Sequence, residues 1–228
     1  MEQYRVKVTT MIVYSIPERI EAFLFDMDST LYSHTVYETF QIDALIERCA
    51  VLQHRSVESM RKLINDYRIA WSHNHDGQTI SFVNTFVAFG ISVEESIRWR
   101  SELYEPARFL SADPLLRETL CALSGICALV TNNPVIVAQK TLQVLGISDL
   151  FPVIVGLDSC FVSKPDPAPF LFAVHKLNVA PQHCIFIGDR YDIDLATPLQ
   201  IGMGAILVDG VEDVYQLKHL KEFKHVNY

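Results

Sequence analysis

Residues 22–30 read Ala22-Phe23-Leu24-Phe25-Asp26-Met27-Asp28-Ser29-Thr30, an apolar run that leads directly into two closely spaced carboxylates. The apolar run has the length of a buried strand in a parallel sheet. Because side chains alternate along an extended chain, Asp26 and Asp28 face the same way at the end of that strand. An Asp-x-Asp sequence is also typical of a turn or a helix cap, so both carboxylates have to be interpreted together with the rest of the chain.

Further apolar runs of strand length follow, and stretches with helical spacing lie between them. The runs are 126–130, 153–155, 184–187 and 205–208. Helices are expected over 134–145, 166–177 and 194–201, with Pro134 in the first turn of the first helix and Gly146 at its end. This alternation predicts an α/β fold in which crossover helices join the strands of a parallel sheet. The N-terminal fifteen or so residues are expected to add an edge strand.

Residues 34–106 interrupt this alternation. Their apolar positions follow helical spacing, as in Leu63, Ile64, Tyr67 and Trp71, without a convincing buried strand. We therefore expect a helical insertion after the first strand. Residues 73–77, His-Asn-His-Asp-Gly, have the composition of a turn between two of its helices.

Polar side chains also follow the later strands. Thr131 and Asn132 follow the second buried run, Lys164 the third, and Asp189 and Asp194 the fourth. Taken alone, each residue is explained equally well as a strand-end hydroxyl, a solvated lysine or a helix cap. None of these explanations accounts for the placement of all of them at strand ends. Ligands bind at the carboxyl ends of strands in open α/β sheets. Clustered carboxylates there repel one another unless a cation is present, and an oxygen-rich site beside a phosphate suits Mg²⁺.

These segments resemble the four ordered motifs of the haloacid dehalogenase superfamily of phosphohydrolases. The segments are Asp26 to Thr30, Thr131, Lys164-Pro165, and Gly188-Asp189 through Asp194. The resemblance spans the chain apart from its N-terminal extension. It implies a Rossmann-like, doubly wound catalytic core formed by residues 1–33 and 107–228, with a helical cap domain, residues 34–106, inserted into it.

The resemblance also implies catalytic roles. Asp26 corresponds to the nucleophile that accepts the phosphoryl group, and Asp28 to the general acid and base, which also contacts that group. Thr131 and Lys164 correspond to catalytic residues that bind phosphoryl oxygens, and Asn132 is expected to bind them as well. Lys164 would offset the negative charge that gathers around Asp26.

A magnesium site is implied at the same place. Mg²⁺ is expected to be held by Asp26, the backbone carbonyl of Asp28, Asp189 and Asp194. Asp192 competes with Asp194 for the last of these positions. The interval from Asp189 to Asp194 matches one variant of the fourth motif and favours Asp194.

The expected function is that of a magnesium-dependent phosphomonoesterase that acts on a small phosphorylated metabolite through a phospho-aspartate. The sequence Asp28-Ser29-Thr30-Leu31-Tyr32 resembles Asp-Asn-Thr-Leu-Tyr of the pyrimidine 5′-nucleotidase-like branch, which favours a nucleoside 5′-monophosphate. A sugar phosphate, phosphoglycolate, or a mutase reaction like that of β-phosphoglucomutase are the alternatives. A phospho-switch binding module, similar to receiver domains, is an alternative from a different class.

Two other reactions of the superfamily are less well matched. True dehalogenases lack the second acid, so Asp28 favours phosphoryl transfer. Phosphonatases form a Schiff base with a cap lysine, and the insertion contains only Lys62, in a polar stretch typical of a solvated helix face.

The composition limits the partners. The chain has 228 residues, half of them hydrophobic, and a formal net charge of −8. Its basic residues are scattered, which argues against binding a nucleic acid polymer or an anionic membrane over a broad surface. Five cysteines without a C-x-x-C pair favour buried free thiols. Neither a signal peptide nor a membrane span is evident, so a soluble, cytoplasmic monomer or homodimer is expected.

The aromatic and histidine residues of the insertion have simple interpretations. Helical spacing places the aromatic side chains in the core of the insertion rather than against a nucleobase: Tyr37, Phe40, Trp71, Phe82, Phe86 and Trp99. His73 and His75 are expected to be solvent-exposed rather than metal ligands.

Overall fold

A six-stranded sheet forms the centre of the structure, a computed structural model that describes residues 10–219. The strands are β1 (Ile12–Ser15), β2 (Ala22–Phe25), β3 (Ile126–Val130), β4 (Val153–Val155), β5 (Cys184–Gly188) and β6 (Gly204–Leu207). Their order across the sheet is β1-β6-β5-β2-β3-β4. The five expected buried strands are present, each within one residue of its expected bounds.

β2 lies where the strand order reverses. It pairs in parallel with β3 on one side and with β5 on the other, and all four of its residues are buried. β1 runs antiparallel to β6 at the edge of the sheet, so the expected N-terminal edge strand is confirmed, although residues 1–9 lie outside the described part. In sheets of this kind, ligands bind beyond the carboxyl ends of the strands at the point of reversal.

The sheet separates two apolar layers. Along β2, Phe23 and Phe25 belong to one layer, whereas Ala22 and Leu24 belong to the other. This is the alternation that an extended strand imposes on its side chains. Because both faces are covered, the strands read as continuous apolar runs, and the expected doubly wound α/β fold is confirmed.

Ten α-helices lie within residues 10–219. They are α1 (Thr35–Leu52), α2 (Val57–His73), α3 (Phe82–Ala88), α4 (Val93–Leu103), α5 (Pro114–Ala122), α6 (Val135–Leu145), α7 (Leu157–Cys160), α8 (Pro167–Leu177), α9 (Ala196–Gln200) and α10 (Val211–Val214). No helix in this part of the chain is both long enough and apolar enough to cross a membrane.

Two of the expected helices differ in detail. Pro134 caps α6 from outside instead of lying in its first turn, while Gly146 ends α6 as expected, with a φ of +75°. The stretch 194–201 is not one α-helix, because a π-helical turn, Tyr191–Leu195, precedes α9. This turn redirects the chain next to the end of β5.

Residues 34–106 contain α1 to α4 and, as expected, no strand. Ser56, Ser81 and Ser92 each begin a helix by accepting a hydrogen bond from a backbone amide of its first turn. A turn that includes Gly77, with a φ of +81°, follows α2. The chain therefore leaves the sheet after β2, forms the four helices of residues 34–106 and then α5, and returns to the sheet at β3.

Candidate active site

Asp26 is the first residue after β2. Its backbone amide donates to the carbonyl of Ile187 at 2.9 Å, which extends the pairing with β5 by one residue. The Asp26 side chain is buried beside Lys164, whose Nζ lies 2.6 Å from Asp26 Oδ1 and 2.6 Å from Asp194 Oδ1. Lys164 is 0% exposed. A buried ammonium group of this kind requires compensating carboxylates.

Asn132 holds the loop that carries Lys164. Its Oδ1 accepts a hydrogen bond from the Lys164 amide at 2.8 Å, and its Nδ2 donates to the Lys164 carbonyl at 3.2 Å. Its amide is thus bonded to the backbone of the neighbouring loop. The side chain also lines the cavity described below, the place where a phosphoryl contact was expected.

The end of β5 supplies two more carboxylates. A Cβ atom at Gly188 would lie 2.6 Å from the Cβ of Asp194, so glycine at this position allows Asp194 to approach the strand end. The π-helical turn brings Asp194 back toward the sheet, and the Arg190 amide donates to Asp194 Oδ2 at 3.2 Å. Asp194 is completely buried, whereas Asp189 is partly exposed.

Asp26, Asp189 and Asp194 form a carboxylate cluster, with ligand oxygens all within 4.8 Å of one another. Burial raises the pKa of Asp26 and the pKa of Asp189 above the usual range, and the neighbouring carboxylates add to both rises. Burial alone lowers the pKa of Lys164, but its two carboxylate partners outweigh that effect and raise it. The cluster thus carries more carboxylates than buried cations.

The cluster fits a hard divalent cation. Oδ1 of Asp189 is buried and accepts no hydrogen bond from the described residues. The cationic side chains beside the three carboxylates are Lys164 and Arg190, and the latter is 40% exposed. A carboxylate oxygen without a hydrogen-bond donor, within an excess of negative charge, is the environment that Mg²⁺ prefers.

The carboxylate of Asp28 does not belong to this cluster. Its Oδ1 accepts hydrogen bonds from the Tyr32 hydroxyl and from Gln41 Nε2, the latter at 3.3 Å, and its Oδ2 accepts one from Asn133 Nδ2 at 2.6 Å. Gln41 belongs to α1, so a residue of the helical insertion holds this carboxylate. Asp28 is expected to bind Mg²⁺ through its backbone carbonyl, and these side-chain oxygens are not part of that expectation.

Thr131 lies at the end of β3, as expected, and is buried. Its Oγ1 accepts a hydrogen bond from the Asn133 amide at 3.1 Å, which leaves the hydroxyl proton for another acceptor. Asp192, the alternative to Asp194, lies outside the carboxylate cluster. Its Oδ2 accepts a hydrogen bond from the Thr79 amide at 2.9 Å, so it links the sheet end to the turn before α3.

A cavity of about 220 Å³ lies between the strand ends and the helical insertion. Asp28, Asn132, Asn133, Asp189 and Arg190 line the wall that the strand ends form. The opposite wall includes Gln41, Phe82, Arg100 and Tyr104 of the insertion. Of the four expected catalytic residues, Asp28 lines the cavity, whereas the buried Asp26, Thr131 and Lys164 do not. The cavity therefore joins Asp28 and the neighbouring strand ends to α1, α3 and α4.

Most aromatic residues of the insertion lie outside this cavity. Of the six noted in the sequence, only Phe82 lines it, and the Arg68 guanidinium covers the Phe82 ring at 4.2 Å. Tyr37, Phe86 and Trp99 are buried, as their helical spacing predicted. His75 stacks on Trp71 at 3.9 Å, and neither His73 nor His75 belongs to a cluster of metal-ligating side chains within residues 10–219.

Gln41 and Asn133 are contacts of Asp28 that were not expected from the sequence, and Tyr32 was expected only as part of the motif Asp28 to Tyr32, not as a contact of Asp28. Asn133 had a usable signal, because it follows Thr131 and Asn132 at the same strand end. Gln41 had none, because helical spacing gives the face of α1 but not the group that this face meets.

The fold and these side chains define a class. Five parallel strands place carboxylates from β2 and from the segment after β5, together with a buried lysine, at the point where the strand order reverses. The chain belongs to the haloacid dehalogenase-like hydrolase family, whose sequence model matches residues 20–202. The resemblance seen in the four motifs is thereby confirmed.

The relatives include phosphoglycolate phosphatases. That of Colwellia psychrerythraea is 44% identical over 69 residues, which cover 30% of this chain and 30% of that protein. That of Shigella boydii is 38% identical over 103 residues, which cover 43% of this chain and 40% of that protein. The chain thus spans less than half the length of these curated relatives.

A solved structure extends the likeness to nearly the whole fold. A HAD phosphatase from Thermococcus onnurineus has a TM-score of 0.57 and 20% sequence identity, over 89% of this chain and 98% of that one. This likeness shows the shared fold.

Proposed function

We propose that this protein is a magnesium-dependent phosphomonoesterase that acts through a phospho-aspartate at Asp26. The observation that carries the proposal is the buried Lys164, which joins Asp26 to Asp194 beside a carboxylate oxygen of Asp189 that accepts no hydrogen bond. A carboxylate nucleophile meets a phosphate dianion only where positive charge offsets the repulsion. Lys164 supplies that charge at Asp26.

The reaction proceeds in two steps. A carboxylate oxygen of Asp26 attacks phosphorus, the bond from phosphorus to the leaving oxygen breaks, and Asp28 donates a proton to that oxygen. Water then attacks the phospho-aspartate, Asp28 takes a proton from the water, and inorganic phosphate leaves. Gln41 and Asn133 position Asp28 for both proton transfers through their hydrogen bonds to its carboxylate.

The other strand-end residues bind the phosphoryl group. The Thr131 hydroxyl and the Lys164 ammonium donate to its oxygens, and Asn132 contributes both its second amide proton and its hold on the Lys164 loop. Asp26, Asp189 and Asp194, with the backbone carbonyl of Asp28, would hold Mg²⁺. When bound, the ion neutralises charge on the phosphoryl oxygens and on the nucleophile.

Residues 34–106 act as a cap over this site, inserted into a core formed by 1–33 and 107–228. The cap wall of the cavity supplies Gln41, Phe82, Arg100 and Tyr104, none of which belongs to the strand ends. Substrate choice therefore depends on the cap, whereas the core carries the phosphoryl chemistry.

The substrate is a small phosphorylated metabolite. The names of the phosphoglycolate phosphatase relatives favour a compound of that size. Arg68 also covers one face of the Phe82 ring in the cavity wall, and a nucleobase cannot stack on a covered face. These observations favour phosphoglycolate, one of the expected alternatives, over the nucleoside 5′-monophosphate that the resemblance of Asp28-Ser29-Thr30-Leu31-Tyr32 favoured.

The test is phosphate release from p-nitrophenyl phosphate with Mg²⁺ and with EDTA. We expect release by the wild type with Mg²⁺, its loss in EDTA, and a fall of at least about 1,000-fold in kcat for Asp26→Asn. Asp66→Asn is the matched control, because Asp66 is an exposed aspartate paired with Lys62 on α2.

Equal turnover by wild type and Asp26→Asn would contradict the assignment of the nucleophile. A phospho-switch module would give a different result. Its aspartyl phosphate would last for minutes, so each chain would release only about one phosphate within those minutes.

A further inference from the structure

Arg100 occupies an unusual position in the cap wall. It lies near the end of α4, is 4% exposed, and lines the cavity opposite the strand ends. A long cationic side chain is rarely buried to this extent unless a carboxylate accompanies it. The groups that surround the Arg100 guanidinium therefore indicate its role.

Within residues 10–219, no carboxylate oxygen lies within 4.0 Å of the Arg100 guanidinium. Its Nη1 donates to the Ser96 carbonyl at 3.2 Å and to the Ser96 hydroxyl, which are both neutral acceptors of its own helix. Burial lowers the pKa of Arg100, although an arginine still keeps its proton. Its positive charge is thus buried without a direct counter-charge, which is costly in a protein interior.

The carboxylates that share the cavity have other partners. Asp28 accepts hydrogen bonds from Tyr32, Gln41 and Asn133. Glu38, on α1, accepts one from the His34 amide at 3.2 Å. Asp28 attracts Arg100 from a longer distance but does not form an ion pair with it.

Arg190, the other arginine that lines the cavity, is different. Its Nε lies 3.5 Å from Asp189 and 3.7 Å from Asp194, so its charge belongs to the carboxylate cluster. Within residues 10–219, Arg100 is therefore the cavity-lining arginine that has no carboxylate partner. It lies on the wall that the helical insertion forms, opposite the strand ends.

We propose that Arg100 determines substrate specificity by binding a carboxylate on the leaving group of the substrate. This proposal rests on the proposed phosphomonoesterase function. The planar guanidinium matches a carboxylate through paired hydrogen bonds, and in a closed cavity such a pair discriminates strongly against a neutral group. The preferred substrate is then a small phosphate monoester with a second, carboxylate anion, such as 2-phosphoglycolate.

The experiment compares two substrates of nearly the same size. 2-Phosphoglycolate carries a carboxylate where 2-hydroxyethyl phosphate carries a neutral alcohol. We expect the wild type to prefer 2-phosphoglycolate in kcat/KM by at least about tenfold. In Arg100→Gln, KM for 2-phosphoglycolate should rise about 10- to 100-fold, while kcat/KM for 2-hydroxyethyl phosphate should change less than about threefold.

Arg98→Gln is the matched control. It makes the same change of charge on the same helix, but Arg98 is exposed and pairs with Glu95, so the preference should stay that of the wild type. Arg100→Lys keeps the charge and loses the paired geometry. This variant should retain part of the preference, and it tests the proposal if Arg100→Gln does not fold.

The outcomes separate this proposal from the proposed function. A wild type without preference for 2-phosphoglycolate, or an equal loss on both substrates in a folded Arg100 variant, would overturn the role of Arg100 while the phosphatase activity stands. A wild type that releases no phosphate from p-nitrophenyl phosphate would overturn the proposed function itself.

Discussion

Two buried carboxylates require the positive charge of Lys164. The carboxylates of Asp26 and Asp194 both contact its ammonium group at 2.6 Å, and all three side chains are buried. Each of the three would be unfavourable in this position alone, because a buried charge without a partner is poorly tolerated. Together they give Asp26 a cationic neighbour at the end of β2.

Replacement of Lys164 by methionine should therefore lower stability as well as activity. The substitution keeps most of the side-chain volume but leaves two buried carboxylates without their counter-charge. We expect the free energy of unfolding to fall by about 3–5 kcal/mol, measured by urea denaturation without added metal.

Lys62→Met is the control for this change. Lys62 forms an ion pair with Asp66 on the exposed face of α2, where water screens the interaction. Its loss should have little effect on unfolding. An equally small effect in Lys164→Met would show that the buried ion pairs contribute little to stability. Unchanged phosphatase activity in Lys62→Met would also agree with a reaction that needs no lysine of the cap.

The sequence predicted the residues at the strand ends but not their partners in the helical insertion. Asp26, Lys164 and Asp194 follow buried apolar runs, and parallel strands bring their carboxyl ends to one edge whatever else the chain does. Gln41 and Arg100 reach the cavity through the packing of helices on the sheet. Helical spacing identifies the buried face of such a helix but not the residue that this face contacts.

At the scale of elements, the turn before α3 connects the insertion to the strand ends. The Thr79 amide donates to Asp192, and the Ser81 hydroxyl lies 3.1 Å from the hydroxyl of Ser163, the neighbour of Lys164. Ser163 in turn donates to Asn84 of α3 at 3.1 Å. These contacts hold α3 over the loop that carries the buried lysine.

Removal of the acceptor at Asp192 should loosen this connection. In Asp192→Ala the Thr79 amide loses its carboxylate partner, and we expect its hydrogen exchange to accelerate by about tenfold. Exchange measured by mass spectrometry on peptides that cover residues 74–81 would detect the change.

The isosteric variant Asp192→Asn separates the hydrogen bond from the charge. An asparagine oxygen still accepts from the Thr79 amide, so exchange in this variant should stay closer to that of the wild type. If both variants exchange equally fast, the negative charge of Asp192 matters rather than its position as an acceptor.

The bounds of the buried strands follow from local sequence, whereas one helical turn follows from a contact in space. Each buried strand lies within one residue of expectation, because apolar runs between polar residues identify it directly. The π-helical turn at Tyr191–Leu195 was missed, since it follows from the need of Asp194 to reach back over Gly188. That requirement is a contact in space, which leaves no periodic signal.

At the scale of the whole molecule, the two apolar layers on the sheet determine where the cysteines lie. Cys49 and Cys127 belong to one layer and Cys184 to the other, whereas Cys121 is exposed and Cys160 is half-buried. All five are free thiols, as expected from the odd cysteine number and the lack of a C-x-x-C pair, but the expected burial is wrong for Cys121, which lies on the exposed side of α5.

The reactivity of these thiols therefore reports on the integrity of both layers at once. Burial raises the pKa of Cys127 and the pKa of Cys184 to about 12, so at pH 8 very little of either thiol is the reactive thiolate. We expect an aromatic disulfide reagent at pH 8 to modify Cys121 quickly and Cys160 more slowly. The buried thiols should react at least about 100-fold more slowly than Cys121, since they need the fold to open. In denaturant all five should react, and Cys121→Ser should lack the fast phase. Fast modification of Cys127 or Cys184 in the native protein would contradict the packing of these layers against the sheet.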